Sequence, residues 1–72
     1  MKNISQNIEV KRQQLNMTQY DFCIKCHISL ANYHKKLNNP EEFRIRELNR
    51  IAQVLKIPLK VLIFSEIVFK EF

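Results

Sequence analysis

The chain has 72 residues, with 12 Lys and Arg against 7 Asp and Glu, a formal net charge of +5. That length allows one domain with a small core, and its longest apolar run, residues 61–64, falls far short of the roughly 20 residues of a membrane span. The opening M-K-N-I-S-Q-N lacks the apolar segment of a secretory signal, so the expectation is a cytoplasmic chain with no membrane partner and with reduced thiols.

Helix one is predicted over residues 3–15. Ile4, Ile8 and Leu15 fall on one face at helical spacing, Arg12 borders that face, and Asn16 ends the helix as a residue that tolerates the left-handed region. Thr18 opens helix two as its N-cap, with Asp21 three positions on, as in a capping box. Met17 and Phe22 form the hydrophobic staple across that cap, and the helix runs to Cys26. After Cys26-His27-Ile28 the same grammar recurs: Ser29 is the N-cap of helix three, and Ile28 and Tyr33 are its staple pair. Asn38-Asn39-Pro40 breaks helix three near Leu37.

Helix four is predicted to begin at Phe43. Ile45, Leu48, Ile51, Ala52 and Leu55 then form a buried stripe at i, i+3, i+6, i+7 and i+10, with Lys56 at its end. Ile57-Pro58 starts a short fifth helix in which Leu59, Leu62 and Ile63 are apolar. Residues 65–72 form an apolar tail through Ile67, Val68, Phe69 and Phe72, and its pattern fits either a helix extension or a strand. The organisation is therefore a helical domain over residues 1–64 and a tail over residues 65–72. The chain has no glycine, so positive-φ positions must fall to residues that tolerate them, with Asn16, His27, Asn38 and Asn39 as the candidates.

These elements define an all-α fold, a compact bundle of about five short helices. Two capped helices joined by only three residues must cross steeply, which is the geometry of a helix-turn-helix. Charge is uneven along the chain. Residues 1–40 hold six basic side chains (Lys2, Lys11, Arg12, Lys25, Lys35 and Lys36) and two acidic ones (Glu9 and Asp21), whereas residues 41–72 hold six basic and five acidic. A basic half beside a nearly neutral one fits a surface that faces a polyanion.

Over roughly residues 8–62 the sequence resembles the lambda-repressor-like, or Cro, helix-turn-helix family. The likeness rests on linked elements: Ile8 and Arg12 in helix one, Met17-Thr18-Gln19 opening helix two, and Phe22-Cys23 where the family favours Leu-Ala. Ile28-Ser29 opens helix three, Tyr33 is its buried residue, and Ile45, Leu48, Ile51-Ala52, Leu55 and Ile57 follow. Three departures stand out. His27 and Asn39 replace glycines common in the family. Leu37 stands where many relatives carry an acidic partner for the arginine matching Arg12, so that ion pair is expected to be missing. Lys36 falls where an apolar residue is common, which points to a one-residue shift in helix three with Leu37 filling the core.

Double-stranded DNA is the partner this resemblance implies, read in the major groove by helix 29–37 of a homodimer. The exposed first turns of that helix carry Leu30, Ala31, Asn32, His34 and Lys35, with Lys36 beside them. Asn pairs bidentately with adenine, Lys donates to guanine, and Leu and Ala pack on thymine methyls. By resemblance, Thr18, Gln19 and Ser29 reach phosphate or nearby bases from the two helix starts, where backbone N–H groups suit phosphate oxygens. Arg44 and Arg46 are candidate phosphate clamps from the other side. The expected activity is a sequence-specific transcriptional regulator, a repressor of phage or prokaryotic type. A protein-interaction module of the same fold, such as an antitoxin, is the rival reading. The apolar tail serves either as a dimer surface, as a docking site for a protein partner, or as core folded back over helices one and five.

Cys23-Ile24-Lys25-Cys26-His27 matches C-x-x-C-H, the c-type haem attachment motif. Haem attachment requires export, and a zinc site through Cys23, Cys26, His27 and His34 would break the crossing of helices two and three. No cofactor or metal is therefore expected. Cys26 is expected at the surface, open to oxidation. No nucleophile, base and acid are arranged for catalysis, and no Gly-rich phosphate loop is present, so no enzyme activity is expected.

Overall fold

A computed structural model describes residues 4–64. The described residues fold as α1 (Ile4–Gln14), α2 (Gln19–Cys26), α3 (Leu30–Asn38), a 3-10 turn (Pro40–Glu42), α4 (Ile45–Leu55) and α5 (Leu59–Phe64). The expected helix start at Asn3 and the tail over residues 65–72 lie outside the described residues. Helix α4 is the hub, packed against α1, α2 and α5, while α1 also meets α5. Helix α3 sits at the periphery, held chiefly by α2 and by the 3-10 turn. That placement leaves the outer side of α3 uncovered.

Local chemistry explains the boundaries. Thr18 Oγ1 accepts from the Asp21 N–H at 3.1 Å, and Ser29 Oγ accepts from the Asn32 N–H at 3.1 Å. Both cap residues are extended, at φ −71° and −69°. Helices α1, α2 and α4 end in one way. The chain turns left-handed one residue past α2 and α4, at His27 (φ 58°) and Lys56 (φ 61°), and two residues past α1, at Asn16 (φ 60°). The next residue, Met17, Ile28 or Ile57, bonds back to the carbonyl of Arg12, Cys23 or Ala52, which is the Schellman arrangement with its apolar C″ residue. Each of those three apolar side chains packs against the core. Asn16 and His27 are thus as expected, whereas Asn38 is helical and Asn39 has φ −133°. Pro40 is the reason, since it forces the residue before it into extended backbone. Lys56 takes the positive φ in their place, because α4 must turn within two residues to reach Pro58.

The core comprises Ile4, Ile8, Phe22, Cys23, Cys26, Tyr33, Phe43, Leu48, Ile51, Ala52, Leu55 and Leu62. Burying each large aliphatic contributes about 1.5–3 kcal/mol. The Phe22 and Tyr33 rings meet edge to face, with centroids 5.6 Å apart, and fix α3 against α2. Buried Asn7 donates from Nδ2 to the Leu62 carbonyl at 3.0 Å, and Ser5 Oγ donates to the Leu37 carbonyl at 2.6 Å, tying α1 to the ends of α5 and α3.

Four expectations are corrected. Ile45 is 62% exposed, because α4 begins two residues later than expected, and Phe43, on extended backbone before the helix, fills that end of the core. Leu15 is exposed, just past the end of α1 where the chain reverses through Asn16. Cys26 is buried rather than open to oxidation, and burial pushes its thiol up to about 12. In α3, Leu37 packs against the core as expected, whereas Lys36 does not stand free beside the reading face. Tyr33 is fully buried, and the half-buried Lys36 turns its ammonium to Glu47.

A non-glycine residue in the left-handed region costs about 1–2 kcal/mol. Lys56→Gly is therefore expected to stabilise the fold by about 1 kcal/mol, after the extra unfolded-state entropy of glycine is deducted. A urea unfolding midpoint that fails to rise would contradict this account of the α4 terminus.

Candidate nucleic-acid interface

Helix α3 owes its two-sidedness to one residue. Tyr33 is fully buried, while Leu30, Ala31, Asn32, His34 and Lys35 are all exposed. The helix therefore presents a mixed surface of one amide, one imidazole, one ammonium and two apolar groups. Lys35 Nζ lies 3.9 Å from Glu42 Oε1, and both side chains are well exposed, so this pair contributes little and leaves the ammonium available. Lys36 differs. Its Nζ donates to both oxygens of Glu47, at 2.8 and 2.6 Å, with its side chain only 14% exposed. Ser29 and Thr18 are exposed at the helix starts, where their hydroxyls already accept cap bonds. Arg44 and Arg46 are exposed at the start of α4, and they line a cavity with Cys26, His27, Glu47 and Arg50.

Arg12, expected to lack an acidic partner because Leu37 stands at the family's position, pairs instead with an acid of its own helix. Glu9, one turn earlier in α1, accepts from Arg12 Nε at 3.1 Å and Nη2 at 2.8 Å. The third arm of the guanidinium, Nη1, donates to the Met17 carbonyl. Glu9 also accepts from Gln19 Nε2 at 3.1 Å and from the Tyr33 hydroxyl. One carboxylate thus joins α1, the first residue of α2 and the buried residue of α3. Gln19, expected at the DNA, has its amide N–H turned inward to this carboxylate.

The electrostatics follow from that convergence. Burial raises the Glu9 pKa, but hydrogen bonds from Arg12, Tyr33 and Gln19 and the Arg12 charge outweigh it, and the carboxyl sits below its ordinary 4.5. The hydrogen bond to Glu9 raises the Arg12 pKa against its own burial. Burial, reinforced by the bond to Glu9, pushes the Tyr33 phenol up, so it remains a donor. Glu47 is likewise held below 4.5: burial raises it, and the Arg44 N–H and Lys36 lower it further.

The C-x-x-C-H motif is absorbed into packing. Both thiols are buried, and burial raises both pKa values. Among the described residues no group of three or more His, Cys, Asp or Glu side chains could hold a metal ion, and no helix is long and apolar enough to cross a membrane.

The roles of Glu9, Arg50 and His27 escaped sequence reasoning. The i, i+3 spacing of Glu9 and Arg12 and the i, i+4 spacing of Arg46 and Arg50 were visible signals for two of them. Compared with known families, residues 7–63 match the Cro/C1-type HTH DNA-binding domain. The match spans every residue of the candidate interface, from Glu9 in α1 to Arg50 in α4. Among curated proteins and among solved structures, nothing matches the chain.

A carboxyl with a depressed folded pKa stabilises the fold above its unfolded value and loses that contribution as pH falls through the folded value. For Glu9 the window lies below about 4.5. Glu9→Gln leaves the Arg12 guanidinium without a counter-charge and is expected to cost about 2–3 kcal/mol at neutral pH. Below pH 4 the variant should approach wild type. Urea titrations across pH 3–7 check both statements, and a constant gap between the two curves would refute the assignment.

Proposed function

The chain belongs to the Cro/C1-type helix-turn-helix DNA-binding domain family, and we propose that it is a sequence-specific transcriptional repressor of phage or prokaryotic type, acting in the cytoplasm as a homodimer. The exposed face of α3 carries this reading: Leu30, Ala31, Asn32, His34 and Lys35 face outward from a helix locked by Tyr33. Asn32 and Lys35 are residue types that read base edges, Leu30 and Ala31 suit thymine methyls, and His34 adds a weaker contact beside them. The net charge of +5 supplies the non-specific attraction to phosphate. Thr18, Ser29, Arg44 and Arg46, exposed at three helix starts, fix the register by phosphate contacts.

A helix of nine residues is about 14 Å long and spans only a few base pairs. Two copies on half-sites about 34 Å apart would double the reading frame and the buried surface. The tail of residues 65–72 is the proposed dimer segment. The rival is an antitoxin-like module that docks a protein through that tail, and a small toxin-like reading frame beside its gene would favour it.

Equilibrium binding to the DNA upstream of its own gene, set against a scrambled duplex over a salt series, tests the reading. A preference for that DNA that survives rising salt supports it. Equal, weak binding to both duplexes counts against it at that site. Within that experiment, Lys35→Ala is expected to weaken specific binding by about 1–3 kcal/mol and relax the preference at one base pair. A loss shared equally by all sequences, with a salt slope flatter by about one, would make Lys35 a phosphate contact. No change in either quantity would remove α3 from the reading role.

A further inference from the structure

Between the end of α2 and the outer side of α4 lies a cavity of about 300 Å³, lined by Cys26, His27, Arg44, Arg46, Glu47 and Arg50. Its size is at the lower end of small-ligand clefts, which run from about 300 to 1,000 Å³. Three guanidiniums line one space, and none is in a salt bridge with a carboxylate among the described residues. Arg46 and Arg50 stand at i, i+4 on α4, where like charges repel each other. The one acid in the wall, Glu47, offsets them only in part, because its charge is shared between Arg44 and Lys36. Glu47 has both oxygens engaged, Oε1 with Lys36 Nζ and the Arg44 N–H, and Oε2 with Lys36 Nζ. The Cys26 thiol in the same wall is held neutral by burial. The cavity therefore carries a net positive charge, three arginines against one carboxylate already bonded to Lys36.

We infer that Arg44, Arg46, Arg50 and His27 form one anion site that takes a phosphate group. Guanidiniums present planar pairs of N–H donors that match phosphate oxygens bidentately, and the His27 ring adds an N–H donor from the wall of the α2–α3 turn. This joins Arg44 and Arg46 to two residues outside the expected DNA contacts, and makes one pocket of separate surface charges. The phosphate group has two possible sources, a free phosphorylated ligand or the DNA backbone. With the DNA backbone as source the site rests on the DNA-binding reading, which already places Arg44 and Arg46 at phosphates, and with a free ligand as source it does not.

The test uses the full chain. Inorganic phosphate, titrated at constant ionic strength against chloride, is followed by NMR at the His27 ring and the arginine Nε–Hε groups. A duplex salt series is run in parallel, both on wild type and on Arg50→Gln. Saturable phosphate binding that weakens at least tenfold in Arg50→Gln establishes the site with a free ligand as its source. No phosphate binding, but a DNA salt slope flatter by about one in the variant, assigns the site to a backbone phosphate. Phosphate binding by a chain that does not discriminate between duplexes keeps the site and removes the repressor reading. Neither effect, in a variant that melts like wild type, overturns the inference. Arg46→Gln repeats the comparison if Arg50→Gln fails to fold.

Discussion

The carboxylate of Glu9 is the constraint on which the reading geometry depends. Apolar packing brings α1, α2 and α3 together, but it is tolerant of small slides and rotations. Hydrogen bonds to a charged, half-buried acceptor are directional and stronger than neutral ones. Arg12 presents a fork to Glu9 within α1, Gln19 reaches it from the start of α2, and Tyr33 reaches it from the middle of α3. The angle between α2 and α3, and therefore the aim of the exposed α3 residues, is tied to one polar point. Because every donor is buried or half-buried, loss of the acceptor leaves groups that neither water nor another side chain readily satisfies.

The remaining structure makes that point possible. Phe22 and Tyr33 set the distance between α2 and α3 through their edge-to-face contact, and Ser5 and Asn7 anchor α1 to distant carbonyls in the other helices. Three Schellman ends reverse the chain without any glycine. In each, an apolar residue follows the left-handed one and enters the core, so burial offsets the backbone strain. Such a design places conformational cost at exposed turn residues and keeps the helices themselves regular.

The polar residues at the surface divide into two groups. Lys36 and Arg12 look like cationic surface residues in the sequence, yet both are drawn inward to carboxylates of their own chain. Lys35, Arg44, Arg46 and Arg50 keep their charges outward. Glu47 decides much of this division. By engaging Lys36 it fixes α3 to the start of α4, and with both oxygens engaged there it offsets the arginines beside it only in part.

Local residues by themselves determined the helices. Thr18 and Ser29 announce α2 and α3 because capping is a contact over three positions, and the stripe of Leu48, Ile51, Ala52 and Leu55 announces α4 because helical burial repeats along one face. Asn16 and His27 could be assigned to positive φ for the same local reason. The matched family extends across those elements, so the DNA-binding class was legible too. Tertiary structure alone decided the rest. Whether Ile45 or Phe43 closes the core depends on where α4 starts against its neighbours. Whether Lys36 faces DNA or Glu47 depends on the distance between α3 and α4. That Gln19 and Tyr33 find Glu9, and that His27 joins the arginines of α4 around one cavity, depends on side chains meeting across elements. Periodicity records which face a residue occupies, while the partner it meets there is set by how the helices are packed.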